Sequence, residues 1–483
     1  MKRYLVILIA LLLFQPAFSH YKARYHVVVD TDGGVDDFRS ICMMLATPEI
    51  EIMAITVVDG ILTPEETVGR VRSLLYHFGH EGIPVGVGAQ NLNKSPTLRG
   101  TSDLAFQIQW ESSEWLAPFV VLPDAVDLLL RSIQLEDMPV DIVAMGPLTN
   151  ISGALKQNPS LAGEVRRLYW NGQGMKSNGL NYAYDPGAAR MIMKSAFHMD
   201  IIDAAEASLG RKDSFVVGLD TLSTRYAKAV KAMYEAVSPE LQNLPMITGL
   251  GDDCIPLFML HPDYFSCNPN DNEARRREIS AQSDQNFATP ILETLNSDQE
   301  DKSIIFSKFP IDIGLFESDV AVMAEEAMKR HGLKEWKIVV LTNEFHEHLG
   351  IYSVLGAKMG LRAREYYHLG IDELSIVSYA GSQPPISCLN DGLQVSTGAT
   401  MGHGAIVLGE GGIFPGARFS FKDRQIELSI REDIREQIKS DVRYGVETYG
   451  LESLEYWAYI RELALKYWLE LSRFDIFIIN QVL

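Results

Sequence analysis

From Tyr25 onward the apolar positions of this chain fall in short β-rich runs, separated by stretches that are apolar along one helical face. The spacing predicts strands over 26–29, 50–56, 84–87, 140–144 and 165–170, and helices over 36–45, 64–78, 124–133, 147–156 and 185–194. Strand and helix alternate with few hairpin signals, which predicts an α/β fold: a mainly parallel sheet with helices on both faces. Polar sequence rich in Asp and Arg over 268–300 reads as a mobile excursion, and a helix over 319–331 is expected to close this unit. A smaller α+β unit is expected over 338–483, with a helical run to about Tyr367 and a strand over 376–380. The Tyr-, Trp- and Leu-rich stretch over 451–471 has helical spacing and reads as core or a dimer surface.

Several polar residues that this pattern does not require fall at strand ends. Asp30-Thr31-Asp32 follows the first strand and Asp59-Gly60 the second. Met145-Gly146-Pro147 and Asn171-Gly172 follow later ones. In parallel α/β sheets ligands bind outside the carboxyl ends of the strands. Asp30, Asp32, Asp36 and Asp37 place four carboxylates within eight residues, where a buried strand meets a helix start. Unpaired, they would repel and raise one another's pKa values. Asp36 alone could cap the helix, but capping does not account for all four. A bound hard cation does, and oxygen-only ligation points to Ca²⁺ or Mg²⁺. Gly33-Gly34 lets the backbone turn tightly enough for the carboxylates to converge. An EF-hand loop starting at Asp30 would need Glu at its twelfth position, where Ile41 stands. Two other readings remain at this point: a structural acidic turn, and a haloacid dehalogenase-type phosphatase, which expects Thr or Val where Gly34 sits.

Composition narrows the partners. The 483 residues carry a formal net charge of -20, and 47% are hydrophobic. So acidic a chain repels nucleic acid and anionic lipid, and favours divalent cations. The four cysteines, Cys42, Cys254, Cys267 and Cys388, form no C-x-x-C pair and suggest no disulfide framework. Lys2 and Arg3 precede an apolar run over 4–14, and Ala17-Phe18-Ser19 has the form of a signal peptidase site. Residues 1–19 are therefore expected to be a signal peptide, with no stable membrane insertion after cleavage. The protein is expected to be exported: periplasmic in a bacterium with two membranes, secreted otherwise.

The segment Asp30-Thr31-Asp32-Gly33-Gly34-Val35-Asp36-Asp37 resembles the signature of the inosine–uridine preferring nucleoside hydrolases. Ala54-Ile55-Thr56, the Met145–Asn150 turn, Asn181 with Asp185-Pro186, Asp252 and Phe306–Pro310 resemble later segments of that family, in order. The resemblance covers 24–336 and implies hydrolysis of the N-glycosidic bond of a ribonucleoside or related small ribosyl compound. It implies a Ca²⁺ ion held by Asp32, Asp37, Asp252 and the main-chain carbonyl of Met145, with Asp32 as the base that takes a proton from water. Asp36 and Asn181 would bind the ribose hydroxyls, and Asp30 would orient the loop. Asp253 would replace Asp252 if the register slips by one. A homo-oligomer is also what the resemblance implies.

The departures concern the leaving group. Gly251 stands where the family carries His, Ile61 where it carries Asn, and Gly179 where it carries Glu, with Asn178 beside it as a substitute substrate-binding residue. The metal and ribose half of the site is therefore retained and the base-recognising half is not. That leaves a second reading, a non-catalytic exported ribosyl- or metal-binding protein.

Further on, Phe345-His346-Glu347-His348, then Cys388-Leu389-Asn390-Asp391 and Gly398-Ala399-Thr400 resemble the formylmethanofuran dehydrogenase E-type domain family. His346, His348 and Cys388 are candidate Zn²⁺ ligands, the alternative being capping or buried histidines. Gly350-Ile351-Tyr352 and His403 depart from the family's Cys-Pro-Gly and Lys, so redox or formyl-transfer chemistry is not carried over.

Overall fold

The computed structural model describes residues 23–90, 122–172, 179–210, 212–235, 250–268, 275–297, 305–410, 412–451 and 453–482. The leader-like residues 1–19 and Asn178 lie outside them. Two compact units result: 23–310 with 365–368, and 311–364 with 369–483.

The first unit is built on an eight-stranded sheet. Its strands are β1 (Tyr25–Thr31), β2 (Ile50–Val57), β3 (Val85–Val87), β4 (Val140–Ala144), β5 (Val165–Asn171), β6 (Met199–Asp203), β7 (Phe265–Asn268) and β8 (Arg276–Ala281). Their order is β3-β2-β1-β4-β5-β6-β8-β7, and every pairing is parallel except β7 on β8. Every residue of β1 and β2 is buried, as expected of strands covered on both faces. Val27 and Val29 pack with Phe38, Ile41 and Leu74 on one face, and Val28 packs with Leu129, Ile142 and Ile151 on the other.

Local sequence sets the helix ends. Thr63 and Glu66 form a reciprocal capping box, Pro64 opens the Pro64–Phe78 helix, and Gly79 closes it in the left-handed region. Asp124 caps the Ala125–Gln134 helix. The Val35–Ala46 helix differs: Gly34 supplies no side-chain cap, so the first-turn acids Asp36 and Asp37 supply the negative charge there.

Two expectations need correction. Residues 268–300 do not form one mobile excursion: β8 lies at 276–281, and a helix spans Ala288–Asn296. Arg277 pairs with buried Asp200 of β6, and Ile279, Ile291 and Leu295 are core residues. The helix expected over 319–331 is present as the first part of Ser318–His346, where Gly332 (φ 85°) separates it from a second helix, but it does not close the first unit. It packs on the Leu389–Thr397 and Leu454–Glu470 helices, so it belongs to the second unit and the division falls near 310.

The second unit carries a five-stranded sheet of β9 (Ser375–Ser378), β10 (Ile406–Leu408), β11 (Gly416–Phe421), β12 (Arg424–Ile430) and β13 (Phe477–Val482), in the order β10-β9-β11-β12-β13. Only β9 and β10 pair in parallel. Trp336 stacks on Trp468, and Lys358 forms a fully buried ion pair with Glu335 at 2.5 Å. No described helix is long and apolar enough to cross a membrane.

Candidate active site

β1 and the 35–46 helix hold the acidic segment between them. Gly33 turns the chain at φ 86°, and a Cβ on it would stand 2.6 Å from Thr67 Oγ1. Gly60 is as constrained, since a Cβ there would stand 2.2 Å from Asp32 Oδ2. The main-chain N–H of Ile61 donates to that same oxygen (3.3 Å).

The turn aims the first helical turn at a residue far along the chain. Single ligand atoms of Asp36, Asp37 and Asp252 lie within 4.8 Å of one another. One oxygen of Asp37 is fixed by Thr31 Oγ1 (2.5 Å) and the N–H groups of Asp32 (3.1 Å) and Gly33 (3.3 Å). The Asp37 and Asp252 carboxyls face each other, with one oxygen of each within 4.8 Å of the other. Asn171, at the end of β5, donates to Asp252 Oδ1 (2.7 Å), and the Asp252 N–H donates to Asp36 (3.3 Å). Asp253 points elsewhere: Arg39 grips it through two bonds of 3.0 and 2.7 Å, both side chains buried. The register with Asp252 is therefore the one that reaches the cluster.

Burial, then the charge of Asp36, pushes the Asp37 carboxyl up to about 6. Burial, then the charges of Asp36 and Asp37, holds that of Asp252 well above the usual range. Asp32 is raised by burial, then by Asp37. Buried carboxyls this close together favour a shared proton or a bound cation. The donors are all oxygen, which fits a hard divalent ion.

The supporting residues sit beneath. Asp30, pushed up to about 7 by burial, accepts from Thr56 Oγ1 (2.6 Å) and Asn150 Nδ2 (2.9 Å). Its second oxygen is buried with no hydrogen-bond partner among the described residues. Asn181 donates to the Met145 carbonyl (2.9 Å) and to the Asn171 carbonyl (3.2 Å). The hydroxyl of Tyr184, one turn on, donates to Asp59 (2.5 Å).

Residues 27–304 match the family described as inosine-uridine preferring nucleoside hydrolase. The chain belongs to that family. As a nucleoside hydrolase family member it is similar to the non-specific ribonucleoside hydrolase RihC of Salmonella newport, at 32% identity over 190 residues, 37% of this chain and 60% of that protein. To RihC of Salmonella agona it is 29% identical over 261 residues, 50% of this chain and 81% of that protein. The chain thus spans 60% of the length of the Salmonella newport relative. Among solved structures it is similar to the plant nucleoside hydrolase PpNRh1 (19% identity, TM-score 0.47, 57% of this chain and 99% of that one). It is also similar to the purine-preferring ribonucleoside hydrolase from Gardnerella vaginalis (19%, TM-score 0.48, 56% and 99%). Residues 345–466 match the FmdE family, described by a molybdenum formylmethanofuran dehydrogenase operon.

Sequence reasoning missed Thr31, Asn171 and Arg39 as partners of these acids. Asn171 was marked only by its place at a strand end. In the second unit His346 Nδ1 lies 2.7 Å from Asp391 Oδ2, and the His346 and His348 rings are 4.1 Å apart. Among the described residues these histidines and Cys388 do not converge as three close ligand atoms.

Proposed function

We propose that the first unit hydrolyses the N-glycosidic bond of a ribonucleoside or related ribosyl compound in a Ca²⁺-dependent reaction. The observation that carries this is the convergence of Asp37 and Asp252, from opposite ends of the unit, with Asp36 at the carboxyl ends of the strands. Asp37 and Asp252 would hold the ion, with Asp32, Asp36 and the Met145 carbonyl as further oxygen donors around it. When bound, the ion supplies Lewis-acid activation of water and orientation of a sugar diol. Asp32, anchored by the Ile61 N–H, is the proposed base that accepts the proton of the attacking water. Asp36 and Asn181 are the proposed partners of the ribose hydroxyls, and they position the anomeric carbon. The Asp30 carboxyl, clamped by Thr56 and Asn150, keeps the turn in register from below.

The test is release of reducing sugar from a panel of purine and pyrimidine ribonucleosides and their 2′-deoxy counterparts. Sugar is expected from ribonucleosides, with loss on chelation and recovery on adding Ca²⁺ back. Equal turnover with chelator present would overturn the metal-dependent reading. Asn181→Ala is expected to raise KM about 10-fold, the equivalent of about 1.4 kcal/mol of hydrogen bonding to the sugar. Export belongs to the same proposal: the mature chain is expected to begin at His20, read from its intact mass. A Zn²⁺ at His346, His348 and Cys388 also remains a proposal, tested by metal analysis of the His346→Ala variant.

A further inference from the structure

At the other end of β1, away from the carboxylate cluster, a second group of ligand-bearing side chains converges. His26 is the second residue of β1, and Glu51, its parallel neighbour in register, is the second of β2. Glu136 comes from the connection between the 125–134 helix and β4. One ligand atom from each lies within 4.8 Å of the others. Four steps of extended strand, about 13 Å, separate His26 from Asp30.

Three observations bear on this group together. The side chains are 4%, 8% and 5% exposed, so two carboxylates and an imidazole share a dry site. His26 Nδ1 lies 3.5 Å from Glu51 Oε2 and 3.6 Å from Glu136 Oε2. Both are ion-pair separations when His26 is protonated. They match the ligand-to-ligand edge, about 3.4 Å, of a tetrahedral cation bonded at about 2.1 Å. Finally, Glu136 lines a surface cavity of about 630 Å³ with Ile133, Gln134, Met138 and Gln157.

We infer that His26, Glu51 and Glu136 form a second metal site, for a borderline divalent cation of the Zn²⁺ kind. One imidazole with two carboxylates suits that ion better than the all-oxygen cluster does, so the two sites are expected to select different metals. Bound there, the cation ties β1, β2 and the connection into β4 at the strand ends opposite the active site.

Crystals of the full chain grown in Ca²⁺ and soaked in Zn²⁺ test this through anomalous maps on both sides of the zinc edge. A zinc-specific peak bonded to all three side chains is expected. An empty position there overturns the site, whatever other zinc peaks the map contains. Equilibrium dialysis against Zn²⁺ in excess Ca²⁺ gives the independent check. Glu136→Gln, outside the strands, is expected to lose one equivalent of Zn²⁺, whereas Asp252→Asn retains it. Unchanged stoichiometry in Glu136→Gln overturns the assignment.

Discussion

Asp252 and Asp253 are adjacent in sequence and opposite in duty. Asp252 faces Asp37 across the strand ends, and Asp253 neutralises buried Arg39. Asp252→Asn removes the charge while keeping the shape, so it is expected to abolish Ca²⁺ binding and leave a folded protein with turnover reduced by about 10³-fold or more. Asp253→Asn removes the charge that the buried Arg39 guanidinium faces and is expected to cost about 3–5 kcal/mol, read by denaturant unfolding. Thr31→Val takes away one of three donors that fix Asp37, and is expected to weaken Ca²⁺ by about 10–100-fold in a calorimetric titration. The acids themselves were legible in the sequence because four stand within eight residues. Arg39 was not legible as the partner of Asp253, because 214 residues separate them and no local pattern joins them.

At the scale of elements, glycine shows where the backbone is constrained and where it is not. Gly33→Ala would force a side chain into a left-handed conformation with its Cβ 2.6 Å from Thr67 Oγ1. It is expected to lower stability by more than about 1 kcal/mol. Gly69, inside the 64–78 helix, has nothing within 4 Å of an added Cβ. Gly69→Ala is expected to stabilise by about 0.5–1 kcal/mol, read as a raised urea midpoint. The alternation of strand and helix was legible wherever caps and apolar runs coincided, as at Thr63-Pro64 and Asp124. It failed at β8, where arginines mask a strand: Arg277 looks like solvent-facing loop until Asp200 of β6 is placed beneath it. The helix expected over 319–331 is present and ends at Gly332, whose φ of 85° separates it from a second helix that runs to His346.

At the scale of the molecule, binding energy at the strand ends is also folding energy for the first unit. Ca²⁺ at about 100 times its Kd would stabilise that unit by about 2.7 kcal/mol. Chelation is therefore expected to lower its thermal unfolding midpoint in the native protein and to leave that of Asp252→Asn unmoved. The acidic balance of -20 points the same way, since every uncompensated carboxylate at the site adds to it. The most direct test follows Ca²⁺ binding by calorimetry and ribose release by turnover, across one range of free Ca²⁺, in the native chain and in Asp252→Asn. The account predicts a common midpoint for binding and turnover in the native chain and loss of both in the variant. An Asp252→Asn protein that binds Ca²⁺ and turns over as the native chain does would contradict it.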